Sequence, residues 1–441
     1  MGRPLYLAMA RLHDTIVAPI TGDGPSAVAV VRLSGPEAWE IAGRIFHPWH
    51  PRHCRAVYGS FPEGEDGYAL PFSEDRSYTG DSTVEFSIHG SPASVRALIE
   101  CCVRLGARMA EPGEFTLRAF LSGRIDLSQA EAVRDTVEAE TELQLKAAHS
   151  QRGGALRRRV EELRERVIGL LARVDASVDF SEEIGSLDEV ALAADIAACM
   201  DEAARLLDTA EVGRVVRHGF RIAMVGLPNA GKSSLLNALL GFQRAIVTPI
   251  PGTTRDTLEE VADFRGLKVV LTDTAGLRCT DDEIEAMGVA RAQGAAKSAD
   301  HVWYVYDAAR GWTAEDDSLL GGMPGATVIA AKADLCDAPE RGLSLSSQTG
   351  QGLDELVRLT VDQILAGHTP DGGFIAPRHA PPLEGALEAL REAEATVEAG
   401  RPPDLVAVLF QSAIRELGII TGETADPDVI ERIFHDFCVG K

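Results

Sequence analysis

The octapeptide Gly226-Leu227-Pro228-Asn229-Ala230-Gly231-Lys232-Ser233 constrains this chain more than any other segment. It fits G-x-x-x-x-G-K-[ST], a loop whose glycines let backbone N–H groups turn inward onto phosphate oxygens. The flanks suit such a loop. The apolar run 220–225 predicts a strand entering it, and 234–240 predicts a helix leaving it, with the helix N-terminus behind the anion. Lys232 can then reach the β- and γ-phosphates, and the Ser233 hydroxyl can ligate Mg²⁺.

Further segments follow on alternating strands and helices. A strand over 268–272 runs into Asp273-Thr274-Ala275-Gly276. There the carboxylate can hold the Mg²⁺ shell through water and the Gly276 N–H can meet a γ-phosphate. Pro251-Gly252-Thr253-Thr254-Arg255-Asp256 lies between the two motifs and offers a hydroxyl to Mg²⁺. A strand over 301–306 ends at Asp307, and another over 326–330 leads into Ala331-Lys332-Ala333-Asp334. A carboxylate at Asp334 can accept from guanine N1–H and the exocyclic amine, a pair that adenine lacks. Ser346-Ser347-Gln348 then precedes Thr349-Gly350-Gln351-Gly352. The set predicts a guanine-nucleotide-binding α/β domain.

At 441 residues the chain has room for two or three domains. A net charge of −24 argues against a protein that coats nucleic acid. The densest basic stretch, 152–166, interleaves Arg157, Arg158 and Arg159 with Glu161, Glu162 and Glu165, the pattern of a solvated helix face. The seven cysteines form no C-x-x-C pair, so neither a zinc site nor a disulfide framework is expected. No apolar run reaches membrane-spanning length, no signal-peptide pattern opens the chain, and Tyr6 stands where myristoylation wants Ser or Thr. A reducing cytoplasm is the expected compartment; neither a membrane nor DNA is an expected partner.

Residues 1–127 read as mixed α/β, with strand candidates at 27–33 and 83–88 bounded by turn signals. From 128 to 217 the period turns helical: Val160, Leu163, Val167, Leu170, Leu171, Val174 and Val178 recur at three- and four-residue steps. The nucleotide domain spans 218–370. Residues 371–441 return to helix, with stripes at Leu383, Leu387, Leu390, Val397 and at Val406, Leu409, Ala413, Leu417. Such a short tail buries too little surface alone. The economical arrangement packs it on the helices of 128–217, which makes the nucleotide domain an insertion in a helical one.

The end of the chain, Phe437-Cys438-Val439-Gly440-Lys441, completes a family pattern. With the phosphate loop, the Pro-Gly-Thr-Thr-Arg-Asp segment, and the N-terminal runs 14–18, 31–35, 112–116 and 126–132, it resembles the bacterial tRNA uridine 5-carboxymethylaminomethyl modification GTPases, the MnmE/TrmE family. The resemblance covers nearly everything beyond the first dozen residues. It implies an N-terminal α+β tetrahydrofolate-binding and dimerisation domain, a helical domain, and an inserted Ras-like G domain. It implies a folate site, for 5-formyltetrahydrofolate or a related reduced folate, at Arg32, Glu85, Arg124 and Lys441. Glutamate carboxylates want cations there, and a pterin N–H edge wants a carboxylate. From the residues alone, Arg32 and Glu85 read as ordinary surface charge. Arg124 holds a position where the family also uses Lys. Cys438 reads either as a buried apolar residue or, by resemblance, as a catalytic thiol; a prenylation signal fits Gly440-Lys441 poorly.

The resemblance also orders the hydrolytic machinery. Leu277 stands where many small GTPases carry a water-orienting Gln, and an apolar residue cannot do that work. The family places the role on Glu285, which from the residues alone reads as part of a solvated acidic turn. It replaces an arginine finger with K⁺, held by oxygens of Asn229, Thr248, Ile250 and Thr253; Mg²⁺ falls to Ser233 and Thr254. GTP and GDP contacts are expected at Asn229, Ala230, Gly231, Lys232, Ser233, Ser234, Thr248, Thr253, Thr254, Asp273, Thr274, Ala275, Gly276, Lys332, Asp334, Ser346, Ser347 and Gln348. One departure stands out. Ala331 replaces the Asn that usually bonds the base and braces the phosphate loop, which predicts weaker but still guanine-selective binding.

The implied activity is GTP-driven modification at C5 of the wobble uridine of tRNA, by a homodimer working in a heterotetramer with a flavin-dependent subunit that alone carries FAD. Two other readings compete. A ribosome-assembly GTPase would carry tandem nucleotide domains or a basic RNA-binding module, and neither is visible. A folate-dependent aminomethyltransferase with an accessory G domain would need no flavin partner.

Overall fold

A computed structural model describes residues 13–22, 24–62, 64–179, 188–242, 259–273, 294, 296–336, 339–365 and 374–441. These fall into two compact units: 1–134 with 152–200 and 385–441, and 135–151 with 201–384. Among the described residues no helix is long and apolar enough to cross a membrane.

The first unit begins with six strands: β1 (Ile16–Pro19), β2 (Ser26–Ser34), β3 (Val57–Ser60), β4 (Asp66–Phe72), β5 (Thr83–Gly90) and β6 (Arg108–Met109). They form one sheet in the order β3-β4-β5-β2-β1-β6, antiparallel except for β1 with β6. Helices α1 (Ala38–Ile45) and α2 (Pro92–Arg104) cover one face. Val31 and Leu33 of β2 and Phe86 and Ile88 of β5 join Ile41, Ile45 and Leu98 in that core. The two-residue period of a strand therefore turns Arg32 and Glu85 to the opposite face.

Helices α3 (Glu114–Leu121), α4 (Leu127–Glu138), α5 (Glu142–Arg152), α6 (Ala155–Asp179), α7 (Glu189–Leu207) and α8 (Ala210–His218) come next. The stripe of α6 buries Val160, Leu163, Val167, Leu170 and Val174, but Val178 is exposed, so the expected stripe is one turn too long. The basic stretch is paired as well as solvated: Arg157 meets Glu161, and Arg164 meets Glu423.

The second unit holds β7 (Phe220–Val225), α9 (Lys232–Phe242), β8 (Glu259–Phe264), β9 (Leu267–Asp273), β10 (His301–Asp307), α10 (Ala314–Leu320), β11 (Thr327–Ala331), β12 (Leu343–Ser344) and α11 (Leu353–Leu365). The sheet order is β12-β11-β10-β7-β9-β8, parallel except for the edge strand β8. Both faces of β10 are buried, with Trp303 and Val305 in one core and Tyr304 and Tyr306 in the other. A continuous apolar run is what a central parallel strand requires. Val212, Val215 and Val216 of α8 belong to the first of these cores, and Leu143 and Ala147 of α5 pack against it. The chain closes with α12 (Ala380–Glu398), α13 (Pro403–Thr421) and α14 (Pro427–His435); α13 packs along α6.

A half-buried ionic knot ties Asp14, just ahead of β1, to β6 and α3. Arg118, 2% exposed, donates to Asp14 Oδ1 at 2.6 Å, to the Asp14 carbonyl at 2.8 Å and to Glu114 Oε1 at 3.0 Å. Arg108 grips the same two carboxylates. Burial pushes the Asp14 and Glu114 pKa values up, but the hydrogen bonds and charges of the two arginines outweigh it and hold both below the ordinary carboxylate range. Asp81, raised by burial, works the other way. A carboxyl depressed in the folded state stabilises it above the ordinary pKa, and that contribution is lost as pH falls through the depressed value. The unfolding midpoint should therefore drop as pH falls below about 4. Arg118→Leu, which removes one of the two arginines gripping Asp14 and Glu114 and leaves Arg108 in place, should cost about 1–3 kcal/mol at neutral pH and weaken the acid dependence. Denaturant melts of both proteins check this; an unchanged midpoint in the variant would contradict it.

Candidate functional site

Strand β7 lies between β10 and β9, so the loop leaving its C-terminal end opens where the strand order reverses, the usual ligand position in such sheets. A Cβ at Gly226 would fall 2.0 Å from the Val305 carbonyl oxygen, so only glycine lets the loop cross β10 this closely. Asn229 takes the left-handed conformation at φ +60°, as does Gly231 at +104°.

Lys232 is buried and folds back into the loop, its Nζ donating to the carbonyls of Gly226 at 2.7 Å and Leu227 at 2.9 Å. Desolvation lowers its pKa, opposed by the charge of Asp273. An ammonium held dry by two neutral carbonyls is primed to exchange them for a phosphate anion. Ser233 Oγ donates to Asp273 Oδ2 at 2.7 Å, and Asp273 is 3% exposed at the end of β9. A hydroxyl and a carboxylate in contact form the hard-oxygen pair that suits Mg²⁺. Ser234 is exposed on the first turn of α9.

On the base side, Lys332 adopts φ +59° ahead of a short turn, Ala333–Leu335, that carries Asp334 exposed to solvent. The Lys332 ammonium reaches over the phosphate loop to the Asn229 carbonyl at 2.9 Å and also meets Asp307 Oδ2 at 2.6 Å. Ala331 is buried beneath the loop, its Cβ 3.3 Å from where a side chain on Gly231 would begin. The Ser346 hydroxyl is buried and accepts from the N–H groups of Gln348 and Thr349, shaping the turn that presents Ser347 and Gln348. Ala230 is buried under the loop. Thr248, Ile250, Thr253, Thr254, Thr274, Ala275, Gly276 and Glu285 lie outside the described residues.

The second cluster lies in the first unit. Arg32 and Glu85 are register partners on β2 and β5, and Arg32 donates through Nε and Nη2 to Glu85 Oε1 at 2.9 and 2.8 Å. The guanidinium also sits over the rings of Tyr78 at 5.5 Å and Phe115 at 5.3 Å. With its side chain only 14% exposed, Arg32 is not ordinary surface charge. Arg124 donates instead to the Glu74 carbonyl at 2.5 Å.

The last residues of the chain dock beside Phe115. Its N–H donates to the Lys441 carbonyl at 3.1 Å, and the Gly113 N–H to the Cys438 carbonyl at 3.4 Å. Gly440 is buried at φ +94°, where a Cβ would fall 2.2 Å from the Pro19 carbonyl oxygen. Phe437 anchors the segment in a cluster with Leu127, Ile433 and Phe434. Cys438 is exposed, which overturns its reading as a buried apolar residue: the anchor is the neighbouring phenylalanine, and the thiol faces out. Sequence reasoning assigned no role to Phe115 or Tyr78. Phe115 lay inside a family segment, but only three-dimensional pairing sets its ring beneath Arg32.

Two family models match: the MnmE helical domain over residues 127–438, and the N-terminal domain of the GTP-binding protein TrmE over 15–124. The tRNA modification GTPase MnmE of Chloroflexus aurantiacus is 42% identical, over 98% of this chain and 100% of that one. The chain belongs to the MnmE family of tRNA modification GTPases. The MnmE of Thermus thermophilus is likewise 42% identical, over 98% and 100%. Among solved structures, the G domain of the T. maritima FeoB iron transporter is 25% identical and covers 32% of this chain and 97% of that one at a TM-score of 0.24, too low to carry an argument. As an MnmE-family GTPase the chain binds and hydrolyses GTP, and the β7–α9 loop with Lys232, Ser233 and Asp273 is the candidate site for the nucleotide among the described residues.

Ala331→Asn should tighten GTP and GDP binding by up to about tenfold, one restored hydrogen bond of ~1.4 kcal/mol. Preference for guanine should not change, because Asp334 is untouched. Titration with a fluorescent GDP analogue checks it; weaker binding would mean that the buried site beneath Gly231 has no room for the amide.

Proposed function

We propose that this GTPase works as a homodimer with a separate flavin-dependent subunit in the cytoplasm, installing an aminomethyl or carboxymethylaminomethyl group at C5 of the wobble uridine of tRNA. The carbon comes from a reduced folate such as 5-formyltetrahydrofolate. The observation that carries this reading is the docking of the chain's last five residues against Pro19 and Phe115, beside the Arg32–Glu85 pair. A cation, a carboxylate with one oxygen still able to accept, and two aromatic rings are what a pterin with a glutamate tail wants from a protein. Arg32, Glu85, Arg124 and Lys441 would bind the folate, which supplies a one-carbon unit when bound. Cys438, exposed at the same end of the chain, would act on the uridine. The G domain, inserted between the helices of 128–217 and 371–441, would drive the cycle.

Within the G domain, Ser233 and Thr254 would hold Mg²⁺, which neutralises phosphate charge. Asn229, Thr248, Ile250 and Thr253 would hold K⁺, and Glu285 would orient the attacking water. GTP turnover should then be strongly stimulated by K⁺ and much less by Na⁺; equal turnover in the two salts, across a range of protein concentrations, would sink the cation assignment.

The whole reading is tested by nucleoside analysis of tRNA from a deletion strain carrying either the wild-type chain or Cys438→Ser. The wild type should restore the modified uridine only when the flavin subunit is present. Product without that subunit would favour a folate-dependent aminomethyltransferase. Cys438→Ser should reduce the modified uridine while purified GTPase activity stays near wild type. Full modification by the variant would make the thiol dispensable.

A further inference from the structure

With Ala331 in place of the usual Asn, the phosphate loop lacks its common side-chain brace, yet the loop is braced in this structure. Lys332 spans it, with the Nζ held by the Asn229 carbonyl at 2.9 Å on one side and by Asp307 Oδ2 at 2.6 Å on the other. Asn229 is the loop residue in the left-handed conformation, at φ +60°, so its carbonyl reports directly on the loop's shape. The aspartate is itself fixed. Its other oxygen, Oδ1, accepts from the N–H groups of Ala309 at 2.9 Å and Arg310 at 3.3 Å, which leaves Oδ2 aimed at the lysine. Strand register sets Asp307 directly beside Ala331, and the Ala308 N–H donates to the Ala331 carbonyl at 2.9 Å, so the carboxylate and the absent amide belong to one corner of the site.

We propose that Asp307 is a positioning residue of the nucleotide site: it fixes the Lys332 ammonium across the phosphate loop and so stands in for the side chain that Ala331 lacks. It need touch neither base nor phosphate. Its effect passes through Lys332 to the Asn229 carbonyl, and from there to the loop N–H groups that receive the phosphates. A charged hydrogen bond at 2.6 Å, with a carboxylate pre-aimed by two backbone donors, is strong enough to do this. Two braces on one loop are partly redundant, so their contributions cannot add.

The test is a double-mutant cycle on the full-length protein, read as the dissociation rate and Kd of a fluorescent GDP analogue. Asp307→Asn keeps shape and removes charge; it should speed GDP release about tenfold, one charged hydrogen bond's worth. Guanine preference should be unaltered, and so should the thermal midpoint. In the Ala331→Asn background the same change should cost at most about threefold, because the amide braces the loop again. Lys332→Gln, which leaves the Asp307 turn intact, is the second variant should Asp307→Asn fail to fold. It should speed release in the wild-type background and be similarly rescued by Ala331→Asn. An unchanged release rate in Asp307→Asn would overturn the proposal. So would equal losses in the wild-type and Ala331→Asn backgrounds, since independent contributions would mean that Asp307 does not replace the missing brace.

Discussion

The carbonyl of the last residue accepts a hydrogen bond from the N–H of Phe115 at the start of α3, and much of the first unit depends on that closure. The contact is possible because Gly113 and Gly440 both adopt positive φ, +70° and +94°. At Gly113 a Cβ would strike the Phe434 carbonyl at 2.3 Å, and at Gly440 the Pro19 carbonyl at 2.2 Å. Two glycines far apart in sequence thus permit two close approaches, of the loop ahead of α3 to the end of α14 and of the tail to the end of β1. Phe115 passes the constraint inward, since its ring lies under Arg32, which is paired to Glu85. The Arg118 knot holds α3 to Asp14, just ahead of β1. A residue at the very end of the chain is therefore coupled to the face of the N-terminal sheet that carries Arg32 through backbone geometry, without a long side chain having to reach.

The nucleotide unit uses the same device for a different purpose. Gly226 lets its loop cross β10 at a distance no Cβ allows, and Gly231 takes a positive φ of +104° above Ala331. Beyond that steric fit, the site is governed by electrostatics. Lys232 is desolvated and donates to two neutral carbonyls, while Ser233 and Asp273 bring two oxygens together at the end of β9. A phosphate and a hard cation relieve both arrangements at once. That coupling is why the loop, the lysine, the serine and the distant aspartate occur as a set.

The nucleotide unit was the more legible part of the sequence. Its strands β7, β9, β10 and β11 are buried, nearly unbroken apolar runs; β9 and β10 end in Asp273 and Asp307, and β7 and β11 lead into the segments that carry Lys232 and Lys332. The edge strand β8 went unnoticed because Glu259-Glu260-Val261-Ala262-Asp263-Phe264 is half polar and borrows its order from β9. In the N-terminal sheet only β2 and β5 were anticipated. Strands β1, β3, β4 and β6 have two to seven residues and carry Gly67, Pro19 and Pro71, which weaken any local signal. Helical period identified the stretch 128–217 but not its partners: nothing in the spacing of Leu143 or Val215 says that these helices pack against a nucleotide-binding sheet. Among the candidate site residues, motif spacing singles out Lys232, Ser233, Asp273 and Lys332, which the structure sets around one loop. It could not find Phe115, whose role is to stack under Arg32, nor show that the Cys438 thiol is exposed, because both depend on how the tail docks.

The central claim is that tail docking serves tRNA modification while GTP hydrolysis is carried by separate residues. Gly440→Ala tests it most directly, because one methyl group at a left-handed position, aimed at the Pro19 carbonyl, displaces the tail without touching Cys438, Lys441 or any nucleotide contact. The measurement is the fraction of modified wobble uridine in tRNA from cells dependent on the variant, beside GTP turnover of the purified protein. The account predicts a large loss of modified uridine with turnover near wild type. Wild-type modification by a folded Gly440→Ala protein, or a parallel collapse of GTP hydrolysis, would contradict it.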